Sequence, residues 1–232
     1  MTRTKQAGSM LIEIAASIVV LGLLAATSFG ALRDVSHVRE GRAAAALASQ
    51  AKQLTLEFAM AHGRLPCPDL TGNGGEGDTA GDCPVAQSFG LLPTRTLGMD
   101  GVSAQSTNRV LRYGISRIAS DADLGATATA GDPDPATRFL ARAERAAAYT
   151  APTPAASGST GQPYVPKPDA RGLAMNCQTP GDSPAFVISV GTPEDLGTTA
   201  CFPIPSPERS ASTSMGRHEL VGWVRSKFRA VN

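Results

Sequence analysis

Residues 1–31 read MTRTKQAGSMLIEIAASIVVLGLLAATSFGA, and this stretch decides how the rest of the chain is interpreted. A short leader carrying Arg3 and Lys5 ends at Gly8, and an apolar run follows it. One acid, Glu13, interrupts that run. A charged side chain at the centre of a bilayer-spanning helix costs roughly 2.5–3.5 kcal/mol, so Glu13 requires a partner.

Three interpretations of this stretch are open. A secretory signal would be cut near Ala25, but its apolar region would contain a carboxylate, and the sequence after residue 26 stays compatible with a helix. A permanent signal anchor fits the length of a membrane span over about residues 10–31 but leaves Glu13 without a partner. The third interpretation comes from the residues that flank the end of the leader.

The hexapeptide GSMLIE at residues 8–13 resembles the processing motif of type IV pilins and of the pseudopilins of type II secretion. In that family a prepilin peptidase cuts after the glycine, the new amino terminus is methylated, and the acid at the fifth mature position is the hallmark. The resemblance implies that Gly8 precedes the cut, Ser9 becomes the terminus and Glu13 is the assembly residue. Most members begin with phenylalanine and threonine, where this chain has Ser9 and Met10.

The resemblance implies a minor pilin or pseudopilin, a structural subunit of a type IV pilus or type II secretion filament. Its partners would be other subunits, the prepilin peptidase, the inner membrane and a surface ligand of unknown kind. It would reside in the bacterial inner membrane before assembly and then become part of a periplasm-spanning or cell-surface filament. Cleavage would create a cation at Ser9, and a buried carboxylate facing that cation on a neighbouring subunit removes two unpaired charges at once. The presence of Glu13 argues against the tip-most pseudopilin type, which lacks that acid.

The expected fold class is α+β and pilin-like: a long N-terminal helix, spanning a membrane in its first half, packed against a small antiparallel sheet. Residues 1–8 would be the leader, 9–62 the helix and 63–232 a periplasmic or extracellular head. Residues 33–62 contain no proline, and Gly63 is a natural helix stop. The apolar residues of this part recur at spacings of three and four: Leu47, Ala51, Leu54, Phe58 and Ala61.

The head is predicted from alternation and turn residues. Alternating Leu111, Tyr113 and Ile115 and the β-branched run at 184–191 predict strands, and residues 218–228, which hold Trp223, predict a further late strand. Proline at a helix start predicts a short helix over residues 135–149. Residues 150–172 have no periodicity and read as a long exposed loop, either a binding surface or a disordered linker.

Four cysteines, Cys67, Cys83, Cys177 and Cys201, all lie in the predicted head. They allow three pairings, and the shortest loops are closed by Cys67 with Cys83 and by Cys177 with Cys201. Disulfides persist in the periplasm, although free buried thiols remain the alternative.

A glycine-rich acidic loop at residues 69–83 supplies oxygen ligands of the kind that calcium binds. Its spacing does not match the EF-hand, and the same residue types build turns without a metal, so both interpretations stay open. No other cofactor is predicted. The residues that would hold calcium are Asp69, Asn73, Glu76, Asp78 and Asp82.

Enzyme chemistry has little support in the sequence. His37, His62 and His218 are scattered, and no nucleophile elbow or phosphate-binding loop is present. The net charge of +1 gives no footprint for nucleic acid. We therefore expect a non-enzyme with no catalytic residues and no nucleic-acid partner. The alternative is a membrane-anchored periplasmic enzyme or binding module that uses the first helix only as a tether.

Overall fold

The computed structural model describes residues 7–84, 87–99, 109–127, 134–149, 162–166, 181–192, 200–202 and 210–231, and within them all side chains except those of 7–12, 24–37 and 228–231. The chain divides into two compact units, Met1–Glu40 and Gly41–Asn232, each of which is described by itself. The second unit combines helices with an antiparallel sheet, so its architecture is α+β.

The first helix, α1, is Ala7–His62. It contains no proline, and its second half is rich in alanine, the best helix former. It ends at Gly63, whose φ of 67° is the left-handed conformation that glycine adopts readily at a helix C-terminus. The Gly63 N–H donates to the Ala59 carbonyl at 2.9 Å. The predicted helix stop is therefore confirmed.

The second half of α1 buries one face, at positions three and four residues apart: Ala44, Ala48, Ala51, Thr55 and Ala59. Of the predicted stripe, Phe58 is also buried and Leu47 and Leu54 pack partly on the core, whereas Ala61 is exposed.

The sheet has four strands in the order β1-β2-β5-β6, every neighbouring pair antiparallel. Its strands are β1 (Phe89–Leu91), β2 (Val110–Ile115), β5 (Phe186–Gly191) and β6 (Ala211–Met215). A separate two-stranded ribbon joins β3 (Val165–Pro166) to β4 (Gly181–Asp182). The strands predicted around Tyr113 and Ile188 are confirmed as β2 and β5.

The two central strands of the sheet, β2 and β5, are buried on both faces. On one face Leu111, Tyr113 and Ile115 of β2 belong to the same core cluster as the buried face of α1. On the other face a Cβ added at Gly114 would lie 2.6 Å from Pro163 Cβ, and the Arg112 guanidinium lies over the Phe202 ring. Residues 162–166 and 200–202, named here the strap, therefore cover the second face.

Two further helices complete the described part of the head. Helix α2 is Pro135–Ala148, as predicted, with Pro135 in its first turn and the Asp134 side chain accepting from the N–H groups of Ala136 and Thr137. Helix α3 is Arg217–Val231. Arg217 donates to the Ala146 carbonyl at 2.9 Å, so α3 is fixed against the end of α2.

The late strand predicted at residues 218–228 is wrong, because α3 occupies these positions. Leu220, Val221 and Val224 are its buried residues, and spacings of one, three and four belong to a helix face. The Gly216 N–H donates to Glu219 Oε2 at 3.1 Å and closes the first turn. The late strand is β6, whose serines and threonine gave no hydrophobic alternation to detect.

The predicted membrane-spanning first half of α1 is also wrong. Within the described part of the chain, no helix offers a stretch both long and apolar enough to cross a bilayer. The expected pilin-like fold with a transmembrane helix is corrected accordingly.

Candidate functional site

The predicted processing and assembly residues lie in the first unit. Gly8 and Ser9 fall in the first turn of α1, which begins at Ala7. Glu13 is exposed, and its carboxylate forms no ion pair with any residue that the structure describes. The Ser17 hydroxyl donates to the Glu13 backbone carbonyl at 2.8 Å, a bond local to the helix.

Residues 13–23 form an exposed helix surface that is mostly apolar after its first residue, Glu13. This surface is named here the apolar stretch. Ile14, Ile18 and Leu21 share one helix face and expose 56%, 63% and 65% of their surface. Large exposed apolar patches mark protein or membrane contacts. This surface is the strongest functional signal in the described chain. Three further large side chains in the stretch are equally exposed: Val19, Val20 and Leu23.

The glycine-rich loop of the head is closed by a disulfide. Cys67 and Cys83 are bonded, with their Cα atoms 5.9 Å apart, as predicted. Cys201 is also disulfide-bonded, and Cys177, its predicted partner, lies outside the described residues. The described part of the chain contains no free cysteine.

The acids of this loop bind protein groups. Asp69 is buried, and its two carboxylate oxygens accept backbone N–H groups of Gly72 and Gly74 at 2.8 and 2.7 Å. The Glu76 carboxylate accepts hydrogen bonds from the two terminal guanidinium nitrogens of Arg64, at 2.6 and 2.9 Å. It also accepts one from the Cys67 N–H. These two carboxylates hold the loop in shape.

The other three residues proposed for calcium serve turns or face solvent. Asp78 accepts the N–H groups of Ala80 and Asp82, Asn73 accepts that of Gly75, and Asp82 is exposed. Among the described residues no group of three metal-binding side chains is assembled. Calcium binding stays a prediction that nothing in this geometry tests.

A cavity of about 630 Å³ opens beside the disulfide. Two arginines of its wall are already paired: Arg64 with Glu76, and Arg117 with Asp123 at 2.8 Å. Arg117 also donates to Cys83 Sγ at 3.2 Å. These two ion pairs brace the loop, and the spacing of the sequence gave no sign of the Arg117–Asp123 pair.

Tyr113 is fully buried, and its hydroxyl has no hydrogen-bond partner among the residues that the structure describes. Burial, and then the negative charge of Glu76, raise its pKa well above the ordinary value. The phenol is therefore neutral at physiological pH and belongs to the hydrophobic core.

Two of the three histidines, His62 and His218, have described side chains. The His62 ring stacks on Phe58 with centroids 4.0 Å apart, and its Nδ1 lies 3.1 Å from the Phe58 carbonyl oxygen. His218 is exposed on α3. The side chain of His37 lies outside the described set.

Comparison with known proteins identifies no relative. No family model, curated protein or solved structure matches this chain. The resemblance to type IV pilins and pseudopilins therefore rests on residues 8–13 alone.

A second surface feature is a groove of about 940 Å³ between the end of α1 and α3. The sequence did not predict it, because residues 218–228 read as a strand. Its floor is apolar, and lysines and glutamates lie along its rim. The residues that line it, named here the α1–α3 groove, are Ser49, Lys52, Gln53, Leu56, Glu57, Met60, Ala61, Met215, Glu219, Trp223 and Lys227.

Proposed function

We propose that this chain is a filament subunit, a minor pilin or pseudopilin of a type IV pilus or type II secretion filament, trimmed after Gly8 and assembled through its N-terminal helix. The motif at residues 8–13 supports the processing step. The partners are other subunits and the prepilin peptidase, and the location is a periplasm-spanning or cell-surface filament.

The observation that carries the proposal is the apolar stretch. Fully burying one Val, Leu or Ile side chain contributes about 1.5–3 kcal/mol, and Ile14, Ile18 and Leu21 each leave more than half of their surface uncovered. A repeated contact between subunits recovers this energy in every copy. The proposal needs the stretch only as a surface that binds a neighbour.

Glu13 adds specificity to that contact. Burying it without a counter-charge is costly, whereas burying it beside a cation on a neighbouring subunit is tolerated. The resemblance supplies one such cation, the new amino terminus at Ser9. A subunit packed in the wrong register leaves the carboxylate unpaired, so the acid selects one register.

Replacing Glu13 with Ala tests the proposal. We expect the amount of Glu13→Ala protein in sheared filaments to fall about tenfold or more. A loss of 1.4 kcal/mol per contact already gives a factor of ten. The measurement is an immunoblot of the sheared fraction against the cell fraction.

Glu144→Ala is the matched control. It removes the same side chain from an exposed pair with Arg225 in the head, and such surface pairs contribute little. The filament proposal is contradicted if Glu13→Ala and Glu144→Ala behave alike. A tethered enzyme or binding module would give that result, because its activity does not need the acid.

A further inference from the structure

We infer that the Cys67–Cys83 disulfide is an exchangeable bond, which an external dithiol opens and closes by entering the cavity beside it and attacking Cys83. The cavity is then a site of thiol–disulfide exchange on the head. This inference does not depend on the filament proposal, because every residue that carries it lies in the second compact unit.

The two sulfur atoms of the bond differ in access. Cys67 is 2% exposed, whereas Cys83 is half-buried, and both residues line the cavity of about 630 Å³. Thiol–disulfide exchange requires an incoming thiolate to reach one of the two sulfur atoms. We therefore expect attack at Cys83, with Cys67 as the sulfur that leaves.

A guanidinium group lies beside each sulfur atom. Arg117 Nη1 is 3.2 Å from Cys83 Sγ, and Arg64 Nη1 is 3.9 Å from Cys67 Sγ. A cation beside a cysteine favours the thiolate, which is the form in which a sulfur attacks and leaves. Whichever cysteine is released, an arginine is in place to stabilise its negative charge.

The other charged groups of the cavity wall keep these two arginines in position. Arg64 is held by Glu76 and Arg117 by Asp123, so both guanidinium groups stay in place when the sulfur–sulfur bond opens. The formal charges of the wall balance, and the preference for the thiolate therefore comes from the direct N–H···S contacts. The charged residues that line the cavity are Arg64, Arg117, Arg142, Glu76, Asp82 and Asp123.

The loop that the disulfide closes is also held by bonds that do not involve sulfur. Near its end, Arg117 Nη1 donates to the Pro84 carbonyl at 2.7 Å. Near its start, the Gly77 N–H donates to the Pro68 carbonyl at 3.1 Å. Opening the disulfide therefore leaves the two cysteines close together, and the bond can form again without refolding of the head.

The exchange takes place in two steps. A thiolate of the dithiol forms a bond to Cys83 Sγ while the Cys67–Cys83 bond breaks, and Cys67 leaves with the electron pair as a thiolate that takes a proton from water. The second thiolate of the dithiol then attacks its partner sulfur in the mixed disulfide and releases Cys83 as a thiolate beside Arg117. The protein disulfide is reduced and the dithiol is oxidised, and the reverse sequence forms the bond.

Reduced glutathione tests the site of attack, because a monothiol stops at the mixed disulfide. The native full-length chain is incubated with it, free thiols are alkylated, and proteolysis after Glu76 places Cys67 and Cys83 on separate peptides. By mass spectrometry we expect glutathione on Cys83 and the alkyl group on Cys67, at least about tenfold above the reverse labelling. Cys201 is a control within the same chain, because it is disulfide-bonded and only 2% exposed.

Three results would overturn the inference: glutathione mainly on Cys67, equal labelling of Cys83 and Cys201, or labelling of Cys83 only after the chain is unfolded in urea. None of them would change the expected loss of assembly in Glu13→Ala, so the two proposals fail separately.

The pH dependence of the reaction tests the role of Arg117 as a positioning residue. In Cys67→Ser the Cys83 thiol is left to react with oxidised glutathione, and we expect its rate to level off at a lower pH than when Arg117→Met and Asp123→Ala are added. Arg95→Gln removes an exposed arginine that does not line the cavity and should leave the profile unchanged. Coinciding profiles with and without Arg117, in variants whose melting temperatures show a folded head, would contradict its role.

Discussion

At the scale of single residues, two buried charges of the head form a matched pair. Arg117 and Asp123 expose 2% and 4% of their side chains, and the guanidinium donates to both carboxylate oxygens. Asp123 also accepts the Gly125 N–H at 2.8 Å. Buried charges persist only when such bonds replace those to water. The pair therefore joins the disulfide loop to the turn that follows β2.

Removing one member of this pair should be severe. We expect Asp123→Ala to lower the free energy of unfolding by about 3–5 kcal/mol, because Arg117 is left charged and buried without its partner. Denaturant unfolding of Asp123→Ala, Arg117→Met and the double variant measures the coupling. The double variant should lose clearly less than the sum of the two single losses. Additive losses would mean that the pair contributes no coupling energy.

Asp134 makes the stability of the head depend on pH. Its side chain accepts hydrogen bonds at the start of α2, chiefly from Thr137, which lowers its pKa below the ordinary 3.8. The unfolded chain therefore binds the proton more readily than the folded one. The contribution is present above pH 3.8 and is lost as the pH falls through the lower folded value.

Asp134→Asn should remove that dependence, since asparagine caps a helix equally well but does not titrate. Melting temperatures of both forms between about pH 2 and pH 6 provide the measurement. We expect the two curves to converge at acid pH. Parallel curves throughout would show that the Asp134 cap does not titrate differently on folding.

At the scale of elements, β2 shows how the second face of the sheet is buried. Arg112 is 5% exposed, and its guanidinium lies 4.5 Å from the centroid of Phe202. It also donates to the Cys201 carbonyl at 3.3 Å. Burial lowers the pKa of Arg112 to about 10, which still leaves it charged at neutral pH. The strap thus packs an arginine where an ordinary sheet face would carry an apolar residue.

Close packing at Gly114 predicts the cost of disturbing the strap. Its added Cβ would meet Pro163 at 2.6 Å and Phe202 at 2.9 Å, so Gly114→Ala should destabilise the head by about 1–3 kcal/mol. Gly222→Ala is the control, because nothing lies within 4 Å of its added Cβ. In the interior of α3 that change should stabilise by about 1 kcal/mol. Thermal unfolding of both variants should show a lower melting temperature for Gly114→Ala and a higher one for Gly222→Ala. Equal shifts would contradict close packing of the strap on Gly114.

At the scale of the whole molecule, two surfaces lie open in the part of the chain that the structure describes. One is the apolar stretch with Glu13, and the other is the α1–α3 groove. The proposed function needs only the first of them, as the surface that binds a neighbouring subunit.

The processing step has its own test. We expect mass spectrometry of the chain purified from its native cells to show a mature terminus at Ser9, because the motif at residues 8–13 places the cut after Gly8. Gly8→Val should leave the leader attached, whereas Gly22→Val, a matched change in the same helix, should not. A native chain that keeps residues 1–8, or begins near Ala25, would contradict the proposal.

The sequence by itself determined the local elements of this protein. Helix periodicity and Gly63 predicted where α1 ends, alternation around Tyr113 predicted β2, and the short spacing of Cys67 and Cys83 favoured their disulfide. These features depend on neighbouring residues, so a linear pattern records them. The resemblance to a pilin processing motif likewise lies in six consecutive positions, residues 8–13.

Only the tertiary structure decided the rest, because it depends on residues far apart in the chain. Residues 218–228 form a helix because Leu220 and Val224 are buried together in the core. The sequence did not predict β6 because this strand is defined by its pairing with β5. The strap, the contact of Arg117 with Cys83 and the groove join segments that no local pattern links. These features depend on packing between distant segments of the chain. A pattern within one short stretch of sequence does not record such contacts.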